Sequence, residues 1–452
     1  MSVYRRFFAI TLGLAFALPG LAQEESASGY AISQQRAAVV RSERIMTEAS
    51  KRKGLLAQYL YMRDTYSTSG DYPFRVIFNQ YVSWFQTWIG DYSGARATFS
   101  IANPAAADDN ESPLAGGYHP EPAVDVIAKL AKDRQAVFLN EAHSNALTRT
   151  VTLQVLEKLR AEGFDTFAAE TLYDTDKDLA KRGFPDSSSG FYTEEPVYAE
   201  MVRTALKLGF KVVPYEATSN ATGNDREQEQ AHNLIAATLK KNRKARIVVN
   251  AGFAHIQKAG VYLGGKSMAQ HFQRLSGIDP LCIEQTMMTP HLKPGSDHPY
   301  YNAIIATQKP TVPVIYLDAN GKPWSLKNDS YDASVVFPPE VYERERPTWL
   351  ALGGIRLPYQ VSGSLCALKY PCLVEARYID EDDTAVPADR TVISIGGNYE
   401  TGSDKLHESN NAIPLRTLWL RPGEYRVVAK DRDDRILTRR NLDFSSKSEA
   451  SQ

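Results

Sequence analysis

The amino-acid sequence predicts an α/β fold: a mostly parallel sheet with helices on both faces, preceded by a helical N-terminal segment and followed by a small all-β, immunoglobulin-like sandwich. Three observations predict this class. Between residues 122 and about 290, short apolar runs alternate with segments of helical periodicity, which is the pattern of βαβ units. Residues 23–100 have mainly helical periodicity. From about residue 356 onward, that periodicity disappears.

Length and composition limit the possible functions. The chain has 452 residues, more than one ordinary core needs, so two or three domains are expected. Hydrophobic residues make up 43% and charged residues 23%, and the formal net charge is -1, which gives no electrostatic reason to expect a nucleic-acid partner. We therefore expect a small-molecule or peptide substrate. The sequence leaves the oligomeric state open.

The N-terminus predicts export. Arg5 and Arg6 precede an apolar run over residues 7–18, and the small residues Gly20 and Ala22 follow it. This is the pattern of a signal peptide over residues 1–22, cleaved near Ala22, and it predicts a periplasmic or secreted protein. The apolar run is shorter than the roughly 18 residues that a membrane anchor needs. No transmembrane span is expected after cleavage.

Changes in composition place the domain boundaries. Residues 103–121, rich in Pro, Ala, Gly, Asp and Asn, are predicted to be a linker. Residues 90–99 resemble half of a tetratricopeptide unit, but no second copy follows, so a helical hairpin that packs on the next domain is the better interpretation. The predicted order is a signal peptide (1–22), a helical region (23–102), a linker (103–121), an α/β domain (122–355), a β-sandwich (356–445) and a disordered tail (446–452).

The elements of the α/β domain follow from the alternation of patterns. The predicted strands are short and apolar, and they cover residues 136–140, 166–169, 211–215 and 246–250. The predicted helices cover residues 124–132, 148–159, 198–208, 227–239 and 267–275. Residues 312–317 and 333–337 are strand candidates that could complete the sheet.

The C-terminal region contains short strand candidates separated by turns, over residues 373–378, 390–395, 416–420 and 425–429. Cys366 and Cys372 lie close together in a turn-rich segment. In an oxidising compartment they could form a small disulfide loop, or both could remain free thiols. Cys282 lies in an apolar stretch and is interpreted as a buried core thiol.

Polar side chains follow each of the four predicted strands. Glu141 and His143 follow the first strand, Glu170 the second, Glu216 the third and His255 the fourth. Because the carboxyl ends of parallel strands meet at one edge of a sheet, these residues are expected to converge on one cleft. Any one of them could be a helix cap or a structural histidine. Their presence at all four strand ends favours a functional site.

Two hydrolytic mechanisms are compatible with this set. In the first, a divalent metal bound by His143, Glu170, Glu216 and His255 activates water. In the second, a carboxylate or an imidazole with a shifted pKa activates water directly. Arg226, at the start of the helix after the third strand, could join Glu216 in holding a carboxylate or an oxyanion, or it could be a surface residue.

Gly252 precedes the late histidine in the sequence Gly-Phe-Ala-His. Because glycine tolerates unusual backbone angles, we expect it to let the chain turn sharply and aim His255 into the cleft. A histidine that faces a cleft in this way should contribute little to stability.

Four motifs together resemble one protein superfamily. They are Phe-Leu-Asn-Glu-Ala-His (residues 138–143), Ala-Ala-Glu-Thr-Leu (168–172), Asp-Arg-Glu (225–227) and Val-Val-Asn-Ala-Gly-Phe-Ala-His (248–255). In this order they resemble the superfamily that joins erythromycin esterases, Tiki/TraB-type proteins and ChaN-type haem-binding proteins, over roughly residues 122–340. The esterase branch implies a catalytic centre of Glu141, His143, Glu170 and His255.

The match to each branch is partial. Asn140 stands where the esterases have Gly, and His143 comes one residue earlier than in their motif. Of the Gly-x-x-His motifs of the Tiki branch, whose members are metal-dependent peptidases, only Gly252–His255 fits. The ChaN branch implies haem, with Tyr173 or His143 as iron ligand. The sequence thus predicts a hydrolase of ester or amide bonds, with a periplasmic haem-binding protein or a non-catalytic interaction protein as alternatives.

The export pattern yields a direct prediction. The mature protein should begin near Gln23 and be found outside the cytoplasm, because a signal peptidase cleaves after small residues such as Ala22. N-terminal sequencing of protein recovered from the periplasm or the medium checks this. Recovery of the intact N-terminus, with Met1, from a cytoplasmic fraction would contradict it.

Overall fold

A computed structural model describes residues 25–67, 71–394 and 413–445 of the protein, with side chains from residue 34 onward. The predicted signal peptide (1–22) and the predicted tail (446–452) lie outside the described residues. The described chain consists of N-terminal helices, an α/β region with a six-stranded parallel sheet, and a C-terminal region of antiparallel sheets. None of the helices in these ranges combines the length and apolar character that a bilayer span requires.

In the described residues, four N-terminal helices are followed by seven helices of the α/β region. The first four are α1 (Glu25–Ser50), α2 (Leu55–Ser67), α3 (Tyr72–Trp88) and α4 (Tyr92–Thr98). The others are α5 (Ala123–Ala131), α6 (Thr150–Ala161), α7 (Leu179–Arg182), α8 (Pro196–Lys207), α9 (Gly223–Ala237), α10 (Met268–Ser276) and α11 (Pro299–Thr307).

The strands of the first 355 residues are β1 (His119–Pro122), β2 (Ala136–Glu141), β3 (Thr166–Ala169), β4 (Lys211–Pro214), β5 (Ile247–Gly252), β6 (Leu281–Glu284), β7 (Val314–Leu317), β8 (Ala333–Ser334), β9 (Tyr342–Glu343) and β10 (Arg346–Pro347). The C-terminal strands are β11 (Leu357–Ser362), β12 (Cys372–Tyr378), β13 (Asp389–Ile393), β14 (Leu415–Leu420), β15 (Glu424–Lys430) and β16 (Ile436–Asp443).

The central sheet has the order β4-β3-β5-β2-β6-β8, and all its neighbouring strands are parallel. Successive side chains of a strand point to opposite faces. In β2, Val137 and Leu139 therefore join the apolar cluster of α5, α6 and α8, whereas Ala136 and Phe138 join the cluster of α9 and α10. Helices cover both faces, and the predicted α/β class is confirmed.

Every strand and helix predicted between residues 122 and 290 is present, although α9 begins earlier than predicted, at Gly223. Strand β6, which contains the buried Cys282, is not among the strands predicted from the sequence. Residues 312–317 were expected to complete the main sheet, but β7 pairs with β1 in a separate antiparallel sheet, and only β8 joins the main sheet. The last residues of the predicted linker lie in β1. The sequence of β1 is exposed and contains proline, so its pattern does not predict a strand. These residues form a strand because they pair with β7.

The N-terminal helices pack on the α/β region. Trp84 and Trp88 of α3 both meet Phe191 edge-on, with ring centroids 5.1 and 4.9 Å apart. Gly90, at a φ of 80°, separates α3 from α4, and a Cβ there would lie 2.0 Å from the backbone oxygen of Arg390. Since only glycine fits this position, the bend between the two helices is fixed by contact with the C-terminal region.

The C-terminal region contains a four-stranded antiparallel sheet, β13-β12-β15-β16, and a two-stranded sheet, β11-β14. Both sheets contribute side chains to one apolar cluster. Cys366 and Cys372 form a disulfide across the loop before β12. The region is tied to α8 by a buried ion pair of Arg203 with Glu381 at 2.5 Å and by a partly buried pair of Arg421 with Glu200 at 2.5 Å.

Candidate active site

The ends of four parallel strands bring the predicted site residues together. Glu141 is the last residue of β2, Glu170 follows β3, and Glu216 follows β4 after one intervening residue. His255 lies in a short 3-10 helix, Phe253–Ile256, that directly follows β5. All are buried except Glu216, which is half-buried. The carboxyl edge of the sheet thus holds one contiguous cluster of ionisable groups, as the strand order predicts.

Glu141 is held as an ionised carboxylate by a buried arginine. Arg149 donates from Nε to Oε2 at 2.8 Å and from Nη2 to Oε1 at 3.0 Å, and Asn250 donates to Oε2 at 3.0 Å. His143 Nδ1 lies 3.3 Å from Oε1. Burial alone would raise the pKa of Glu141, but Arg149 and His143 outweigh burial and lower this pKa to about 2. Glu141 is therefore a fixed acceptor for the imidazole of His143.

The ring of His143 is packed on both sides. It stacks on Tyr192 with ring centroids 4.3 Å apart, and it meets Phe253 edge-on at 5.1 Å. A Cβ at Gly252 would lie 2.2 Å from Cε1 and 2.3 Å from Nε2 of this ring, and 3.1 Å from Oε2 of Glu170. Glycine is thus required at residue 252 because the imidazole approaches the backbone so closely.

This corrects the expected role of Gly252. Its φ of -75° and ψ of 144° are open to any residue, so it does not make the turn. The turn is made by Phe253, at a φ of 43°. A second strained residue, Thr171 at a φ of 62°, follows Glu170 at the end of β3. A β-branched residue in the left-handed region is an outlier. Backbone strain therefore lies at the carboxyl ends of both β3 and β5.

Glu170 lies at the centre of the cluster. One carboxylate oxygen, Oε2, accepts a hydrogen bond from the backbone N–H of Gly252. The other, Oε1, accepts from Arg226 Nη2 at 3.1 Å and lies 3.5 Å from His255 Nε2. Burial favours the neutral acid, but His255, His143 and Arg226 outweigh it and lower the pKa of Glu170 to about 2. Glu170 is therefore ionised at neutral pH.

Arg226 is buried, so the surface interpretation is wrong. Its guanidinium holds two carboxylates: Nη2 donates to Glu170, and Nε and Nη2 donate to Glu216 at 3.1 and 2.9 Å. Its third nitrogen, Nη1, makes only longer contacts, 3.4 Å to His255 Nε2 and 3.8 Å to Glu227. Arg226 is expected from the sequence to hold a carboxylate or an oxyanion. In the structure its partners are carboxylates.

His255 is buried rather than exposed to a cleft. It is only 4% exposed, and its Nδ1 lies 2.7 Å from Oε2 of Glu227, which also accepts from the backbone of Met268 at 2.9 Å. Burial lowers the pKa of His255, but Glu227 and Glu170 outweigh it and raise this pKa above its ordinary value. The expectation that His255 contributes little to stability is therefore corrected, since its loss would strand a buried carboxylate.

The sequence did not predict three residues of the cluster: Glu227, Arg149 and Glu195. Glu227 orients His255, and its only signal was its place in the Asp-Arg-Glu motif. Arg149 binds Glu141, and its Nη1 donates to Oε2 of Glu195 at 2.8 Å. Glu227 and Arg149 lie in segments whose local sequence pattern predicts only a helix or a turn and does not indicate a site residue. Tyr92 of α4 donates to Glu195 at 2.6 Å, so the N-terminal helices reach this network.

The residues predicted to hold a metal are arranged around a cation already present. Of the four, Glu170 and Glu216 direct oxygens at the guanidinium of Arg226, and His255 lies beside it. Within the described ranges, no group of three or more His, Cys, Asp or Glu side chains is arranged as a metal site. A divalent cation bound by these oxygens would lie next to the guanidinium of Arg226, and the two positive charges would repel each other. The arrangement therefore does not fit a divalent cation without displacement of Arg226.

The two residues considered as haem ligands lie in different surroundings. Tyr173 is half-buried and packs against the apolar cluster that α6 and α8 share with the N-terminal helices. His143 is packed between Tyr192 and Phe253, and its Nδ1 is engaged by Glu141.

A groove opens beside His143. Ala142 and Ser144, the neighbours of His143 in the chain, line it together with Phe253, and it is open to solvent. One wall is the loop after β6. Glu284, the last residue of β6, is buried and holds this loop by accepting hydrogen bonds from Thr286 Oγ1 at 2.7 Å and from the backbone of Met287 at 2.9 Å.

Comparisons with known proteins give few matches. No protein-family model and no curated protein matches the chain. Among solved structures, the chain is similar to two described as bacterial protein toxins, at 13% and 15% identity, and to RRSP, a MARTX toxin effector domain from Vibrio vulnificus CMCP6, at 13%. Each match covers 50% of this chain and has a TM-score of 0.27. The chain spans about half the length of these proteins, 50% to 52%.

The burial of His255 yields a prediction on stability. His255→Ala should lower the free energy of unfolding by about 1–3 kcal/mol, because Glu227 would keep its burial and lose its imidazole partner. Urea unfolding of wild type and variant measures this. The matched control is His232→Ala, an exposed histidine of α9, which should change stability by no more than about 0.5 kcal/mol. Equal small effects in both variants would show that His255 makes no stabilising contact.

The lowered pKa of Glu141 yields a prediction on pH. Its folded-state pKa of about 2 lies below the ordinary 4.5, so its stabilisation is present above about pH 4.5 and is lost as the pH falls towards 2. Wild type should exceed Glu141→Gln in unfolding free energy by on the order of 3 kcal/mol at pH 7, and this gap should shrink between pH 5 and pH 3. Urea titrations across this range measure the gap. A gap that is constant with pH would contradict the assignment.

Proposed function

We propose that the chain is a hydrolase of ester or amide bonds whose catalytic residues are Glu141, His143, Glu170 and His255. One observation carries the proposal: two buried imidazole–carboxylate pairs, Glu141 with His143 and Glu227 with His255, flank the single carboxylate of Glu170. In a hydrolase, a carboxylate that holds one nitrogen of an imidazole fixes its tautomer, and the other nitrogen then serves as acid or base.

His143 is the general base of this proposal. Glu141 accepts from Nδ1, which leaves the lone pair on Nε2. None of the hydrogen bonds of the described residues uses Nε2, which lies beside Oε2 of Glu170 over Gly252. In the proposed step, water attacks the carbonyl carbon and gives its proton to Nε2. Glu170, ionised and adjacent, stabilises the imidazolium that forms.

His255 and Arg226 form the positive side of the proposed centre. The raised pKa of His255 favours the imidazolium, which lies beside Glu170. The positive charges of His255 and Arg226 stabilise, through space, the oxyanion that develops as water attacks. Collapse of the tetrahedral intermediate then breaks the bond to the leaving group, which takes the proton held by His143.

The direct activation of water is favoured over the metal variant. Two of the proposed metal ligands, Glu170 and Glu216, already share the positive charge of Arg226. The strained backbone at Thr171 and Phe253 supports a functional interpretation of this edge, because such strain concentrates at active sites.

The proposed location is the periplasm or the exterior of the cell. The pattern of residues 1–22 supports it, and the disulfide between Cys366 and Cys372 fits an oxidising compartment. We also assign the C-terminal region to an immunoglobulin-like sandwich that supports the α/β region without a catalytic role. The shared core of its two sheets and the buried pair of Arg203 with Glu381 support this assignment.

Substitution of the central carboxylate tests the proposal. Glu170→Gln should lower kcat/KM by about 10²–10⁴-fold on a panel of ester and amide substrates, since its charge stabilises the imidazolium of the base. The control is Glu157→Gln, an exposed carboxyl of α6, which should retain wild-type rates. Rates should be unaffected by a chelator. Equal rates in Glu170→Gln and wild type, or a haemin Soret band in a protein with no hydrolytic activity, would overturn the proposal.

A further inference from the structure

One aromatic ring lies flat against the imidazole of His143. Tyr192 stacks on it with ring centroids 4.3 Å apart and an angle of 20° between the two planes. Glu141 contacts the imidazole at Nδ1, 3.3 Å away. Because rotation of a histidine ring about its Cβ–Cγ bond has broad preferences, a contact at one nitrogen does not set the plane of the ring. The stacked face of Tyr192 does, since a rotated imidazole would collide with it.

The plane of the imidazole decides where Nε2 points. A Cβ built at Gly252 would lie 2.3 Å from Nε2 of His143 and 3.1 Å from Oε2 of Glu170, so this nitrogen and this carboxylate approach the same point of the backbone. Rotation of the ring would move Nε2 away from the carboxylate and from the water that it is proposed to deprotonate. Proton transfer depends on this placement, because a base must lie within hydrogen-bond reach of the proton that it takes.

Tyr192 is held in place by the strained residue at the end of β3. The backbone oxygen of Thr171 accepts from the backbone N–H of Phe191 at 3.2 Å, and its Oγ1 accepts from the backbone N–H of Tyr192 at 3.4 Å. A Cβ at Gly190 would lie 2.7 Å from the same backbone oxygen, so the two segments approach closely. Strained residues persist where surrounding contacts require them. The segment that carries the central carboxylate thus also places the stacking ring.

The ring of Tyr192 is enclosed and uncharged. It is 2% exposed, and Trp84 of α3 meets it edge-on with ring centroids 6.1 Å apart. Burial, together with the charges of Glu170 and Glu141, raises the pKa of Tyr192 well above its ordinary value, so its side chain is a neutral phenol. The face of a neutral aromatic ring attracts a cation. The stack therefore also favours the imidazolium that forms when His143 takes a proton.

We propose that Tyr192 is a positioning residue for His143: its aromatic face fixes the plane of the imidazole so that Nε2 is directed at the reacting water. The inference rests on the proposed function for the role of His143 as the base. The ring of Tyr192, and not its hydroxyl, has this role. The N-terminal helices take part in it through the contact of Trp84 with this ring.

Two substitutions separate the ring from the hydroxyl. With p-nitrophenyl acetate, Tyr192→Leu should lower kcat about 10- to 100-fold and change KM by no more than about twofold, because a misplaced base slows the chemical step and leaves substrate binding intact. Tyr192→Phe keeps the aromatic face and should retain kcat within about twofold of wild type. If Tyr192→Leu does not fold, Tyr192→Met, whose flexible side chain fills irregular space, replaces it. The matched control is Tyr425→Leu, a buried tyrosine of β15, which should also retain kcat.

NMR of ring-labelled histidine reports the stack without any substrate. The ring current of a stacked aromatic residue shifts the imidazole C–H signals to lower chemical shift, and His143→Gln identifies these signals by their loss. Wild type, Tyr192→Phe and Tyr425→Leu should share the shifted His143 signals. In Tyr192→Leu, the signals should move towards the positions of free histidine.

The two measurements distinguish this inference from the proposed function. If wild type hydrolyses no substrate of the ester and amide panel but the His143 signals move in Tyr192→Leu alone, the proposed function fails and the positioning role of Tyr192 stands. The positioning role is overturned if Tyr192→Leu retains the wild-type kcat or the wild-type His143 signals. It is also overturned if Tyr192→Phe or Tyr425→Leu loses as much activity as Tyr192→Leu.

Discussion

The structure depends on the placement of two buried guanidinium groups at the carboxyl edge of the parallel sheet. Carboxylates at the strand ends of one sheet repel one another, and burial alone would raise the pKa of Glu141 and of Glu170; cations beside them outweigh burial. Arg149, at 0% exposure, binds Glu141, and Arg226, at 1%, binds Glu170 and Glu216. Removal of one member of such a buried pair leaves an uncompensated charge, which typically costs about 3–5 kcal/mol. The cluster therefore stays ionised only while its arginines are in place.

The surrounding regions hold these arginines in position. Arg149 also binds Glu195, whose oxygens accept from the backbone of Val197 and Tyr198 at the start of α8 and from the hydroxyl of Tyr92. The N-terminal helices thus contribute directly to the environment of Glu141. On its outer face, α8 is anchored to the C-terminal sheets through Arg203. All three regions of the chain therefore contact, directly or through α8, the residues that surround Glu141 at the end of β2. Many of the ionic side chains that make these contacts are buried as a result.

The proposed chemistry follows from this fixed electrostatic arrangement. Because the carboxylates and their arginines are held before a substrate binds, little reorganisation is needed as charge develops in the reaction. In the proposed mechanism, Glu141 presents His143 as a base, and the charge of Arg226 takes the place of a bound metal ion.

The sequence by itself determined the parallel sheet and the convergence of Glu141, His143, Glu170, Glu216 and His255. Strand direction and the position just after each strand are local properties, so the alternation of apolar runs and helices was sufficient for both. Only the tertiary structure decided the partners and the burial: that Arg149, Glu195 and Glu227 complete the cluster, that His255 is enclosed, and that β7 pairs with β1 outside the main sheet. These contacts join segments far apart in the chain, and their strength depends on desolvation, which no local pattern records.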